Sequence, residues 1–351
     1  RPLRAVRPEA PATSPLQEAP RLSGASLCAV SAGQLVVFGG RCSASGETRG
    51  VAYLVQVGQL PAGLAKWDRL RCGDGPQPAP RCYHAAVALS GGHGDALAMV
   101  VFGGAGIGNV LHEDTWRLVM DLESSVRDSR LRGCCRARWL PVPQRDSLRA
   151  PSARSSFVLA PWPTAACGVL HGGLGNDGVM SDVWVLEPQG TWHEMPTSGA
   201  LVSRAHHCGA VQGDLLLVHS GQDATFLTAH AVHSLDLSTG VWQELVYPSG
   251  PPSRIDAAAA SVEGVGVLIL GGVDTAFEFE PADLWLLGGT SGAGGSASCP
   301  VALPHARGAG PHPHACGGLA VRGLQVFAFG GFDGKNDSDE LWRLDLAKCI
   351  V

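Results

Sequence analysis

The sequence predicts an all-β fold, a six-bladed β-propeller with four antiparallel strands per blade, and three observations carry that expectation. First, an apolar run closed by a glycine pair recurs along the chain, as Gly39-Gly40, Gly103-Gly104, Gly172-Gly173, Ser220-Gly221, Gly271-Gly272 and Gly330-Gly331. Second, each pair has the same surroundings, with a small-residue stretch upstream and, in most units, a segment pairing Asp with Trp downstream. Third, the intervening segments are short, apolar or alternating, and bounded by Gly, Pro, Ser or Asn, with no sustained helical period. Recurrence at such spacing, with a glycine signature at a strand end, is the mark of a propeller.

The units follow in order. The first, about 21–72, has Arg21 upstream of its glycines and Tyr53 and Trp67 downstream. The second, about 81–144, opens on Arg81-Cys82-Tyr83-His84 and continues through Asp114-Thr115-Trp116 to Trp139. It carries an insertion at 122–138 containing Arg127, Arg130, Arg132, Arg136 and Arg138. The third, about 152–197, has Arg154, Asp182-Val183-Trp184 and Trp192. The fourth, about 203–248, has Arg204-Ala205-His206-His207 and Trp242 but an aromatic-free third strand around His233. The fifth, about 253–304, has Arg254 and Asp283-Leu284-Trp285 and then a Gly/Ser-rich stretch without a closing Trp. The sixth, about 312–346, has His312-Pro313-His314 where an Arg would stand, followed by Asp339-Glu340-Leu341-Trp342.

The sixth unit supplies only three strands, and an unpaired edge invites aggregation. Residues 2–7 are therefore expected to pair with 341–346 and close the ring. The competing reading leaves residues 1–20, which hold five prolines, as a linker. Small residues such as Ala85, Ala86, Ala257 and Ala258 suit the innermost strands, where six blades converge.

These units resemble kelch repeats, whose pattern is a Gly-Gly pair, then a Tyr or Trp, then a Trp in the last strand. The resemblance covers nearly the whole chain. It implies a binding module or scaffold that holds a partner's peptide on the rim, and it admits a substrate-receptor role in a ubiquitin ligase. Neither an F-box nor a BTB domain is visible in these residues. The family also includes sugar mutarotases and metal-dependent oxidases, so a propeller enzyme is the alternative reading, and a purely architectural subunit the third.

Composition bounds the rest. The chain has 351 residues, 45% hydrophobic and 16% charged, with 47 Gly and 24 Pro, as short strands and tight turns require. The repeat runs end to end, so one domain is expected. No run reaches the roughly 18 apolar residues of a membrane span. A net charge of −5 disfavours nucleic acid as a partner. Eleven cysteines without a Cys-x-x-Cys pair point to free thiols in a reducing compartment, cytoplasmic or nuclear.

Strand direction places the candidate site. The second strand of every blade ends at its glycine pair, so the loops after the pairs and the arginines upstream share one face. Arg81, Arg154, Arg204 and Arg254 there could take carboxylate or phosphate groups of an acidic or phosphorylated partner bidentately. The opposing expectation is that each arginine pairs with the aspartate before a third strand. His84 and His207 stand just after the arginine position, and Phe277 and Phe279 alternate with acids in the fifth unit's loop, as partner anchors would. The histidine spacing matches no metal motif, so no metal and no cofactor are expected. The basic insertion falls on the opposite face as a secondary contact.

Overall fold

In the computed structural model the described residues are 2–5, 19–31, 33–57, 64–89, 97–120, 137–143, 150–247, 250–274, 276, 278, 284–288, 301–303, 315 and 317–348. They form the six expected blades. A first short strand, β1 (Pro2–Ala5), is followed by blade one, β2 (Ser23–Ser31), β3 (Gln34–Cys42), the two-residue β4 (Glu47–Thr48), β5 (Ala52–Gln56) and β6 (Leu64–Arg69). Blade two is β7 (Ala85–Val87), β8 (Leu97–Phe102), β9 (Thr115–Met120) and β10 (Ala137–Pro141). Blade three is β11 (Val158–Trp162), β12 (Cys167–Gly175), β13 (Gly178–Leu186) and β14 (Trp192–Glu194). The edge strand β15 (Ser198–Gly199) flanks blade four, which is β16 (Cys208–Gln212), β17 (Leu215–His219), β18 (Val232–Asp236) and β19 (Val241–Leu245). Blade five is β20 (Ala258–Val262), β21 (Gly266–Leu270), β22 (Leu284–Gly288) and β23 (Val301–Leu303), and blade six begins with β24 (Gly318–Arg322), β25 (Gln325–Phe329) and β26 (Leu341–Asp345).

The missing strand of blade six is β1, as expected from its unpaired edge. Pro2 and Leu3 pair antiparallel with Trp342 and Leu341, and then Arg4 and Ala5 run parallel to Leu64 and Ala65 of blade one. One short segment thus joins the last blade to the first. The innermost strands pack in the closed order β2, β7, β11, β16, β20, β24 and back to β2.

The glycine pairs are the seams of the ring. The second glycine donates its N–H to the carbonyl of the arginine position in the next blade: Gly40 to Arg81 at 2.9 Å, Gly104 to Arg154 at 2.8 Å, Gly173 to Arg204 at 2.8 Å. The first glycine makes room for that carbonyl. At Gly172, φ is +64° and an added Cβ would stand 2.5 Å from the Arg204 oxygen. Gly172→Ala should therefore cost at least the roughly 1–2 kcal/mol of a left-handed L-residue, plus the blade shift needed to relieve the contact. A urea unfolding midpoint equal to the parent's would contradict this.

Aromatic side chains fill the space behind each seam. Phe38 packs on His84 and Trp139 with ring centroids 5.2 and 4.8 Å away. Phe102 meets Phe157 and Trp192 at 5.6 and 5.0 Å. Between blades three and four the same place is taken by His171, which meets His207 and Trp242, each at 5.0 Å. Large side chains from three strands thus lock neighbouring sheets together.

Candidate functional site

Each blade's second strand ends, and its third begins, on the face that carries the glycine pairs. Three of the four arginines assigned to that face are withdrawn from it. Arg81, Arg154 and Arg254 are 0% exposed. Arg81 grips the Asp114 carboxylate at 2.7 and 2.9 Å and also donates to the Gly103 carbonyl. Arg154 does the same with Asp182, at 2.6 and 2.7 Å, and with Gly172. Arg254 donates to the carbonyls of Gly271 and Pro252, while Asp283 lies outside the described residues. As partner ligands these three are corrected: each guanidinium ties the start of a first strand to the turn between second and third strands of its own blade. The carboxylates reflect this. Burial would raise Asp114 and Asp182, but the arginine hydrogen bonds and charge outweigh it and hold both below the usual range.

Arg21 does not hold the arginine place of blade one. The bond from Gly331 to the Leu22 carbonyl puts Leu22 there, and the exposed Arg21 pairs with Asp339 of blade six at 3.2 Å.

His84 and His207 are also withdrawn. His84 is buried against Ser26 Oγ at 2.9 Å, and desolvation, with the charges of Arg81 and His112 adding to it, drives its pKa down to about 3. His207 is buried against His171, Nε2 to Nδ1 at 3.1 Å, and burial pushes it well below 6.5. Both are neutral packing groups, because side chains just before the first strand turn into the seam. Phe277 and Phe279 lie outside the described residues, as does most of the basic insertion.

What the face presents at its centre, through the described residues of five blades, is part of a ring. Tyr83 donates its N–H to Gly24 O, Ser156 to Tyr83 O, His206 to Ser156 O and Asp256 to His206 O, at 2.9 to 3.0 Å. All five residues have φ between +53° and +63°. Each stands two places after the arginine position of its blade, and the left-handed turn lets consecutive blades bond around the axis. Across this ring His206 Nδ1 meets Asp256 Oδ1 at 2.8 Å. Burial would lower His206, but the hydrogen bond and charge of Asp256 leave its pKa raised.

Around the ring, two blades expose apolar tips. Ile107 and Val110, in the β8–β9 loop, are 77% and 62% exposed, and Phe226 and Leu227, in the β17–β18 loop, are 54% and 68% exposed. The blade-four tip is pre-shaped. Asp223 Oδ1 accepts from Thr225 N at 2.8 Å and Leu227 N at 3.3 Å, while Asp223 N donates to Leu227 O. In blade five Asp274-Thr275-Ala276-Phe277 keeps the Asp and Phe of Asp223-Ala224-Thr225-Phe226 with Ala and Thr exchanged, so the Phe expected to anchor a partner there has its described counterpart in Phe226. A segment ordered before binding loses less entropy on docking.

On the opposite face an axial cavity of about 450 Å³ opens between the first strands. Its wall is Ala86, Ala160, Ala210, Ala260 and Ala320, with Ser261 donating to Gln212 Oε1. Among the described residues no three His, Cys, Asp or Glu side chains converge as a metal set.

The family described as the KLHDC2/KLHL20/DRC7 Kelch-repeats domain matches residues 24–272. Adagio-like protein 1 of Oryza sativa subsp. japonica is 27% identical over 305 residues, covering 80% of this chain and 43% of the rice protein. An F-box/kelch-repeat protein of Arabidopsis thaliana is 27% identical over 278 residues, covering 70% of this chain and 54% of its own length. The chain thus spans about half, or less, of the curated relatives it matches. The solved structure of YjhT superposes with a TM-score of 0.64 at 15% identity, covering 94% of this chain and all of that one. That likeness is one of fold.

Proposed function

The chain belongs to the kelch-repeat family, and from that premise we propose that it is a protein-interaction module whose partner docks on the glycine-pair face. The exposure of Ile107, Val110, Phe226 and Leu227 on the loops of two blades, flanking a polar ring, carries this reading. Large apolar side chains held out on shaped loops are what a partner's side chains bury, and a few such anchors supply most of the binding energy. The ring of Tyr83, Ser156, His206 and Asp256 lies between them and offers donors and acceptors to a bound backbone. The F-box named in the Arabidopsis relative extends the reading to a substrate receptor of a ubiquitin ligase. The described cysteines, Cys28, Cys42, Cys72, Cys82, Cys167 and Cys208, are all free, which supports a cytoplasmic or nuclear setting.

The test replaces the blade-four tip. Phe226 sits at φ +60°, so Phe226→Asn suits its backbone, and Leu227→Ser removes the neighbouring side chain. The double variant should keep the parent's melting temperature and lose at least about tenfold in affinity for its captured partner, as loss of a hot-spot anchor does. Unchanged affinity would refute docking at this tip.

A further inference from the structure

Arg204 is the exception among the four arginines. Aligned on the strand pairs His219↔Val232, Phe102↔Thr115 and His171↔Val183, the place of Asp114 and Asp182 is taken in blade four by Ala231. The carboxylate that pins Arg81 and Arg154 is missing. A second tether is also unmade. Arg81, Arg154 and Arg254 each donate Nε to the carbonyl two residues before them. For Arg204 that carbonyl is Val202 O, which accepts from His171 Nε2 at 2.9 Å. Arg204 is only half-buried, donates Nη1 to Ser203 O at 2.8 Å, and leaves its buried Nε without a partner.

No carboxylate of the described residues lies within salt-bridge distance of it. Asp223 and Glu244 act on it only through space, and Asp223 is committed to its own loop. The other groups around it, His171, His207 and His233, are neutral imidazoles whose pKa values are lowered by burial and, to a smaller degree, by Arg204 itself. A half-desolvated guanidinium with an unmet donor, charged neighbours out of reach and a fork geometry suited to carboxylate is an anion site in search of its anion.

We propose that Arg204 binds a carboxylate on the partner, freed for that role by Ala231 in place of the aspartate that stands there in blades two, three and five. The proposal rests on the docking-face reading above, since Arg204 heads blade four beneath the loop that presents Phe226 and Leu227. The segment it fits is acidic and apolar, an Asp or Glu side chain reaching the guanidinium with an apolar residue against the loop tip.

The experiment selects random displayed peptides on the full chain and measures individual synthetic peptides by fluorescence polarisation. Selected peptides should be enriched in Asp or Glu. Arg204→Ala should weaken them at least about tenfold, as truncating one side of a desolvated charge pair does. Replacing the peptide's acid by its amide should cost no further affinity in that variant. Ala231→Asp is the sharper arm, since it restores the internal carboxylate: it should recapture Arg204, abolish acid preference and raise the melting temperature. Peptides that bind Arg204→Ala and Ala231→Asp as tightly as the parent, or a selection without acid enrichment, would overturn the proposal. If those peptides still lose affinity to the Phe226→Asn/Leu227→Ser chain, the docking face stands without Arg204. If Arg204 variants weaken binding while the tip variant does not, the anion site stands and the wider docking reading falls.

Discussion

Replacing Arg154 with alanine should destabilise the propeller by about 3–5 kcal/mol, the range for breaking a buried ion pair from one side. The side chain is 0% exposed and its five N–H donors meet five acceptor contacts. Nε goes to Ser152 O, Nη1 to Gly172 O and Asp182 Oδ1, and Nη2 to Ser152 Oγ and Asp182 Oδ2, all between 2.6 and 3.1 Å. Truncation strands the Asp182 carboxylate and leaves the Gly172 carbonyl one donor short, and Gly172 is a seam residue whose neighbour Gly173 bonds blade four. The damage should therefore reach across the ring and lower the urea midpoint of the whole transition. Lysine should rescue only part of it, having a single charged centre that cannot grip both carboxylate oxygens in the plane. A variant that kept the parent's midpoint but lost its partner would restore Arg154 to the binding surface and reverse the structural assignment.

This prediction marks where the sequence spoke clearly and where it did not. The glycine pairs were readable because their requirement is of the backbone: a left-handed turn with a neighbouring carbonyl against the missing Cβ admits almost nothing else. Ser220 is the instructive departure, since its hydroxyl accepts the Arg254 N–H and so holds the seam by another route. The β1 closure was readable because blade six lacked a strand. The arginines were half readable. Their recurrence showed that they mattered, but recurrence fits a repeated internal brace better than a binding ring, because a partner is not six-fold. The central ring was hidden for the opposite reason. Gly24, Tyr83, Ser156, His206 and Asp256 share a backbone conformation and no side-chain chemistry, so only their constant offset from the arginine place announces them. Aligning units on the glycine pairs would also have exposed Ala231, a position whose meaning lies in what its counterparts carry.

The buried histidines between blades three and four should make the fold acid-sensitive, and the sign follows from which state takes the proton first. The His171 pKa is lowered from 6.5 to about 4, chiefly by desolvation, with the charges of Arg204 and Arg154 adding and the Val202 hydrogen bond and Asp182 opposing. Above pH 6.5 the imidazole is neutral whether folded or not, so it leaves stability unaffected by pH. Below that, the unfolded chain binds a proton that the folded seam refuses, and stability falls until the pH passes the folded value of about 4. At pH 5 this one group should already have removed about 2 kcal/mol. His207 is shifted in the same direction, and His84 and His219, lowered to about 3 and about 4, add their own losses over the same range. The molecule contains the control for this claim. Phe102, Phe157 and Trp192 build the neighbouring seam from hydrocarbon where His171, His207 and Trp242 build this one. His171→Phe with His207→Phe should copy that packing, change the urea midpoint little at pH 8, and gain at least about 2 kcal/mol over the parent at pH 5. The residual slope would belong to the other imidazoles that burial lowers, His84, His112, His219 and His233. Parallel pH profiles for the two proteins would show that the imidazole pair is not what acid attacks.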